Sequence, residues 1–306
     1  MLMFMTHLQA LILGIVQGLT EFLPVSSSTH LALAKKLMGI EGTFHFDLIC
    51  HLGTLSALFF IFWKDIFRVL REARSIALFA VALLPLIPAY FLLKPLRMYL
   101  ATDAGFFLLA TSALLFLASS KRFTLEKVPS KPIPPSAANL DLDPRQSSRD
   151  STIASDLVLE IQGHLRSLNP GAFTRSKFQV CGRERYKWRD VLCIGIAQSL
   201  ALFPGMSRSG STIAAARLLG WEWGQAVRFS FLLAVPTILG GAMLEALRGF
   251  DGGSLAAGLS AIGFAASFVT GLGSLKLLLW IIQRGTLRPF AWYCLAAGIF
   301  ALLLLK

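Results

Sequence analysis

Six apolar runs decide what this chain can fold into: residues 46–63, 75–93, 104–119, 227–247, 255–282 and 290–305. Each is long enough, as a helix, to cross about 30 Å of hydrocarbon, the shorter ones with tilt or local thinning. The rest of the composition agrees. Hydrophobic residues make up 55% and charged residues 15%, against about 45–50% and about 25% in soluble domains. The expectation is an all-α polytopic membrane protein. A net charge of +12 does not argue for nucleic acid, because the basic residues gather between apolar runs and no RNA-binding aromatic motif accompanies them. It bears instead on orientation in a membrane. The four cysteines, Cys50, Cys181, Cys193 and Cys294, lack metal-site or redox spacing and are expected to be packing residues. The N-terminus has neither a basic n-region nor a small-residue cleavage site, so no removable signal is expected.

Two more segments, 8–38 and 191–219, are apolar but broken at their centres by proline, glycine and serine. At membrane depth, loose backbone is tolerated only where protein or a watery cavity covers it. Both are therefore expected to be re-entrant helical hairpins. They also resemble each other. "GIVQGLTEFLPVSSSTHLA" from Gly14 aligns with "GIAQSLALFPGMSRSGSTIA" from Gly195, matching Gln17 to Gln198 and Phe22 to Phe203. With one residue dropped, Pro24 meets Pro204 and Ser27 meets Ser207. Three spans separate the hairpins, so the second must enter from the opposite face. The expected architecture is an inverted-topology repeat, each half one hairpin plus about three transmembrane helices, whose broken centres meet near the midplane. The halves are 1–119 and 191–306. Residues 120–190, rich in proline, serine and mixed charge, are expected to be a polar cytoplasmic insertion with one short helix near 153–168. Lys64, Arg68, Arg71, Arg74, Arg284, Arg288 and the basic flanks of that insertion mark the cytoplasmic face. The opposite connections carry only Lys35, Lys36, Lys94, Arg97, Arg248 and Lys306. By the positive-inside rule the termini and the first hairpin's mouth face outward.

Chemistry concentrates in the two broken segments. Gln17 and Glu21 are four apart and share a helix face. An intramembrane carboxylate is costly and is read as functional by default, and so is Arg208. "SSSTH" after Pro24 and "SRSGST" after Pro204 each read as a helix start, with serines suited to capping. Free N–H groups and the positive dipole end there suit an anion. Arg208 adds the planar guanidinium that grips phosphate oxygens. Together they suggest a phosphate site. His30, one turn beyond Ser27, joins it as a chemical residue, whereas His7, His45, His51 and His164 lack such company and are expected to be structural. No P-loop, GxSxG or HExxH pattern occurs. The lipid-phosphatase pattern SRxxxxxH fails at Ala214.

At these residues the sequence resembles the bacterial undecaprenyl-diphosphate phosphatases, the bacitracin-resistance protein family. Gln17 and Glu21 meet its pattern of Glu or Gln, three residues, then Glu; Pro24, Ser26, Ser27 and His30 meet its proline–serine–serine–histidine region, and "PGMSRSG" from Pro204 its second motif. Where family members carry glutamate at the position of Gln17 a second acid is available, and here it is not. The resemblance implies hydrolysis of undecaprenyl diphosphate to undecaprenyl phosphate and inorganic phosphate, which recycles the cell-wall lipid carrier and gives bacitracin resistance. It implies a multi-pass protein of the bacterial inner membrane with an outward-facing site. Its catalytic set here would be Glu21, Ser27, His30 and Arg208, with Gln17, Ser26, Ser207, Ser209 and Thr212 binding substrate. Ser27 attacking as nucleophile and direct attack by water fit the sequence equally. A divalent cation, Mg2+ or Ca2+, would sit on Glu21 with Gln17. The partners implied are a polyprenyl diphosphate and membrane lipids, without nucleic acid; a homodimer is compatible. A lipid-carrier flippase is the competing class, since inverted repeats with broken helices also build transporters.

Overall fold

Thr6 opens the first helix with a reciprocal cap. Its hydroxyl accepts from the Gln9 amide at 3.2 Å while the Gln9 side chain accepts from the Thr6 amide at 2.8 Å. Helix α1, His7–Phe22, then runs until Pro24 forces Leu23 into extended backbone, ψ 143°. The computed structural model describes residues 5–40, 44–99, 104–120, 187–247 and 257–304. Most of the 120–190 insertion, including the helix expected near 153–168 and Cys181, lies outside them. Among the described residues every regular element is helical.

After the break, α2 (Ser27–Met38) ends at Gly39 in the left-handed conformation, φ 64°. There follow α3 (Phe44–Arg71), α4 (Ala73–Leu83), α5 (Leu86–Tyr99) and α6 (Ala104–Ala118). The second half repeats the pattern with α7 (Trp188–Leu200), a break, α8 (Arg208–Leu218), α9 (Trp223–Leu247), α10 (Ala257–Ile282) and α11 (Arg288–Leu304). The run read as one span over 75–93 is divided at Leu84 and Pro85 into α4 and α5, although 73–93 together have crossing length. Among the described residues four stretches are long and apolar enough to cross: 45–71, 73–93, 223–244 and 257–282. Helices α6 and α11 have 15 and 17 residues, shorter than the usual span of about 20. Many large apolar side chains, such as Phe60, Leu92, Met243 and Leu303, are exposed, as lipid-facing surfaces require.

The described helices place the two hairpins in one register. His7 and Trp188 are 181 positions apart, and so are the next helix starts, Ser27 and Arg208. No residue is dropped. The structural counterpart of Ser207 is Ser26, both N-caps, and Arg208 stands where Ser27 does, which corrects the gapped alignment. The drop was suggested by the prolines, but the break absorbs that shift: Pro24 and Gly205 are the matching positions.

The halves pack by exchange. Helix α1 lies on α10 and α7 lies on α4. Equivalent glycines make both approaches: a Cβ on Gly14 would come 2.7 Å from the Gly263 carbonyl, and one on Gly195 2.9 Å from the Ala82 carbonyl carbon. Such small-residue contacts are how helices associate where lipid supplies no hydrophobic drive. Along α3 and α10 the contacts ascend together, Phe46 with Gly263 and Ala57 with Gly271, so these two run in the same direction. Along α6 and α11 they descend, Ser112 to the Ala291 carbonyl and Ser119 to the Leu287 amide. The last helices of the two halves are therefore antiparallel.

Gly18→Ile tests the exchange. A Cβ there already meets the Ser267 carbonyl at 2.6 Å and the Gly271 nitrogen at 2.8 Å, both backbone. Overpacking costs about 1–3 kcal/mol where side chains can yield, and more is expected here. The detergent-solubilised variant should melt several degrees below wild type.

Candidate active site

Glu21 occupies the last turn of α1 and is almost fully buried. Its carboxylate is matched by donors from three elements, and a histidine from a fourth stands close by. Oε1 pairs with the guanidinium Nη2 of Arg208, 187 residues away in sequence. Oε2 accepts from Ser27 Oγ at 2.7 Å and from Gln17 Nε2 at 2.9 Å. His51 Nε2 stands 3.7 Å from the same oxygen. A buried carboxylate without such partners would cost several kcal/mol. The two broken segments thus meet at one point.

The surroundings form a cleft of about 500 Å³ whose wall includes Glu21, Ser27, Ser28, Asp47, His51, Ser207 and Arg208. The Arg208 side chain is 20% exposed while that of Glu21 is 4% exposed. The guanidinium reaches the cleft; the carboxylate sits behind it. A guanidinium has five N–H donors, so a carboxylate contact through Nη2 leaves it able to grip an anion. Two helix N-termini, those of α2 and α8, open on the same space through Ser26, Ser27, Ser207 and Arg208.

The break between α1 and α2 is held from outside. Three carbonyls of the break each accept from a side chain. Ser209 Oγ donates to the Leu23 carbonyl at 3.2 Å, Cys294 Sγ to that of Pro24 at 3.3 Å, and His30 Nδ1 to that of Ser26 at 2.8 Å. Ser26 has φ 67° and is the one non-glycine residue with positive φ among the described residues. Ser207 caps α8, accepting from the Gly210 amide at 3.1 Å.

The expected residues separate into two groups. Glu21, Ser26, Ser27, Ser207 and Arg208 line the cleft, and Gln17 touches Glu21 from behind. Ser209 turns to Leu23 and to Ser207, and Thr212 bonds the Arg208 carbonyl and the Ser230 hydroxyl, at 2.9 and 2.6 Å. Both shape the site from outside the cleft wall. His30 is not in the wall either: Nδ1 is on Ser26 and Nε2 lies 2.7 Å from the Tyr293 hydroxyl. Its two nitrogens meet the Ser26 carbonyl and the Tyr293 hydroxyl. His51 stands differently. Read as structural in the sequence, it faces the cleft beside Glu21, with Nδ1 donating to the Asp47 carbonyl at 2.8 Å. A carbonyl only accepts, so Nδ1 carries a hydrogen and Nε2 is the nitrogen turned to Glu21. The signal was present: Asp47 and His51 stand four apart at the start of an apolar run.

Whether these residues suit a resident divalent cation is a question of donors. Among the described residues no three His, Cys, Asp or Glu side chains are placed to hold a metal ion. Both Glu21 oxygens already receive N–H or O–H groups, and one of those donors is cationic. The amide of Gln17 adds no charge. The arrangement does not fit a cation held by Glu21 and Gln17 alone.

Fold and cleft together define a helical membrane protein with a buried carboxylate, a cleft-facing arginine and a hydroxyl cluster at paired helix N-termini, the equipment of a phosphate-handling site. The chain belongs to the bacitracin resistance protein BacA family, whose model matches residues 10–141 and 152–300. Among curated proteins it is 34% identical to the undecaprenyl-diphosphatase of Protochlamydia amoebophila, over 96% of this chain and 97% of the relative. The undecaprenyl-diphosphatase of Novosphingobium aromaticivorans is 35% identical over 97% of each chain, and that of Methanosphaera stadtmanae 33% over 97% of each.

Proposed function

We propose that this protein hydrolyses undecaprenyl diphosphate to undecaprenyl phosphate and inorganic phosphate, recycling the lipid carrier of cell-wall synthesis and so conferring bacitracin resistance. The observation that carries the reading is the contact of Glu21, Ser27 and Arg208, drawn from both hairpins into one polar cleft. Phosphoryl transfer depends mostly on positioning and charge stabilisation. Arg208, with the α2 and α8 N-termini, holds the diphosphate oxygens. Glu21 Oε2 takes the Ser27 proton as Oγ attacks the terminal phosphorus and the bond to the bridging oxygen breaks, releasing undecaprenyl phosphate. Water then attacks the phosphoserine phosphorus; as the Oγ–P bond breaks, Glu21 returns its proton to Ser27 Oγ, and inorganic phosphate leaves with the water's oxygen and hydrogens. His51 Nε2, beside Glu21 Oε2, is a second place for the proton. Gln17 orients Glu21. Any magnesium or calcium ion would arrive bound to the diphosphate.

Purified protein incubated with undecaprenyl diphosphate in detergent should release inorganic phosphate. No release, with lipid movement across reconstituted vesicles instead, would favour the flippase reading.

The apolar tail has a place beside the cleft. A cavity of about 770 Å³ lies among Leu55, Phe59, Phe79, Leu83, Pro236 and Leu239. The cleft uses Asp47 and His51 of α3 and Thr237 and Gly241 of α9, and the apolar cavity uses the neighbouring positions of the same two helices. A diphosphate in the first can lead its prenyl chain into the second. Filling the cavity with Ala80→Trp should raise KM for undecaprenyl diphosphate about tenfold while kcat holds, since only uniform binding is lost. Farnesyl diphosphate, too short to use the whole cavity, should be hydrolysed nearly as before. Equal effects on both would remove the tail from this cavity.

The antiparallel pairing of α6 with α11, with α1 and α7 exchanged between halves, supports an inverted-topology repeat of re-entrant hairpins. The cleft lies near the start of α3, and His51 to Arg71 covers 20 residues, roughly the 30 Å of one bilayer core. With the basic end of α3 inside a bacterial cytoplasmic membrane, the cleft opens outward.

A further inference from the structure

The apolar cavity and the Glu21 cluster are already used by the proposed reaction, but the contacts of α11 with the broken segment are not. Two consecutive residues of α11 reach that segment on either side of its bend. Cys294 Sγ donates to the Pro24 carbonyl at 3.3 Å. Tyr293 lies 2.7 Å through its hydroxyl from His30 Nε2, and the two rings stack with centroids 5.6 Å apart and planes 12° apart. The direction of each bond follows from its end. The Ser26 carbonyl only accepts, so His30 Nδ1 carries the hydrogen. In the neutral imidazole Nε2 is then an acceptor, and the Tyr293 hydroxyl donates to it. The chain from Tyr293 through His30 ends on the residue with the strained φ of 67°. A non-glycine residue in that region is strained and persists only when its surroundings over-determine it. The next residue is Ser27, whose Oγ meets Glu21 at 2.7 Å.

We propose that Tyr293 is a positioning residue for the nucleophile: its hydroxyl fixes His30, and His30 holds the bend at Ser26 that aims Ser27 at Glu21. The proposal rests on the phosphatase reading for its kinetic consequence and on geometry for its structural one. It also gives His30 a part in the reaction without giving it a proton to transfer.

The test uses the full-length protein in detergent, with phosphate release from undecaprenyl diphosphate and amide hydrogen exchange over residues 25–28 as separate readouts. Tyr293→Phe removes one hydroxyl and keeps the stacked ring. It should lower kcat about five- to tenfold with KM within about twofold of wild type, the split expected when alignment of the reacting group is lost and substrate binding is not. Exchange at Ser27 and Ser28 should rise, with the melting temperature unchanged. In a His30→Asn background, where the link to Tyr293 is already cut, Tyr293→Phe should cost nothing further. Full kcat and unchanged exchange in Tyr293→Phe would overturn the proposal, as would an undiminished loss in the His30→Asn background. Absence of phosphate release from wild type would count against the phosphatase reading alone, because the exchange result would still report whether Tyr293 holds the bend.

Discussion

Arg208→Lys should lose about 10²-fold or more of kcat/KM while the protein stays folded, the scale on which a single positioned transition-state donor acts. The charge survives the substitution but the planar fork does not. Arg208 meets Glu21 Oε1 at its Nη2, and in the proposed reaction its remaining N–H groups hold the diphosphate. An ammonium is a point charge that cannot hold that geometry. The position also has no substitute, because Arg208 heads α8 and reaches the cleft from the opposite half of the chain. Phosphate release by the lysine variant, measured beside its melting temperature, decides the matter. Near-normal turnover would make the pair with Glu21 a structural salt bridge and remove Arg208 from catalysis.

Glu21→Gln should be as severe. It nearly keeps the shape of the side chain, yet removes the base for Ser27 and leaves the cleft-facing Arg208 beside a neutral partner. A loss of about 10²–10⁴-fold is the usual range for a positioned acid–base group. Glu21→Ala and Arg208→Ala should then be strongly non-additive, since residues acting as a unit lose most of their effect at the first removal. Gln17→Ala should cost far less, for an amide donates to Glu21 and cannot take its proton. If the two alanine losses simply multiplied in the double variant, Glu21 and Arg208 would be serving separate events.

Much of this was legible in the sequence because the membrane makes polar residues conspicuous. Glu21, Arg208 and the serines after each proline stood out for their cost in apolar surroundings, and they do meet. The helix–break–helix pattern of both segments was written in Pro24, Pro204 and Gly205. What escaped was direction. Sequence spacing puts His30 one turn from Ser27, but not which way its ring points, and it points to Tyr293 on a helix 263 residues away. His51 escaped for the opposite reason: its polar neighbour in the site, Glu21, is remote in sequence, so only the fold of α3 against α1 joins them. The 75–93 run reads as one span because its hydrophobicity is continuous, and Leu84 and Pro85 divide it.

The exchange of helices between halves sets a schedule for biogenesis. Gly14 and Gly18, on the helix whose last turn carries Glu21, find their partners on α10, and Gly263 is synthesised roughly 250 residues after Gly14. At about 5–20 residues per second, that is an interval of some tens of seconds. During it the first hairpin holds its carboxylate in the insertion machinery or the bilayer with neither Arg208 nor α10 in place. The nascent chain therefore needs a temporary companion for that segment, and ribosomes stalled before α10 should yield a first half that a protease can still reach at residues 23–26.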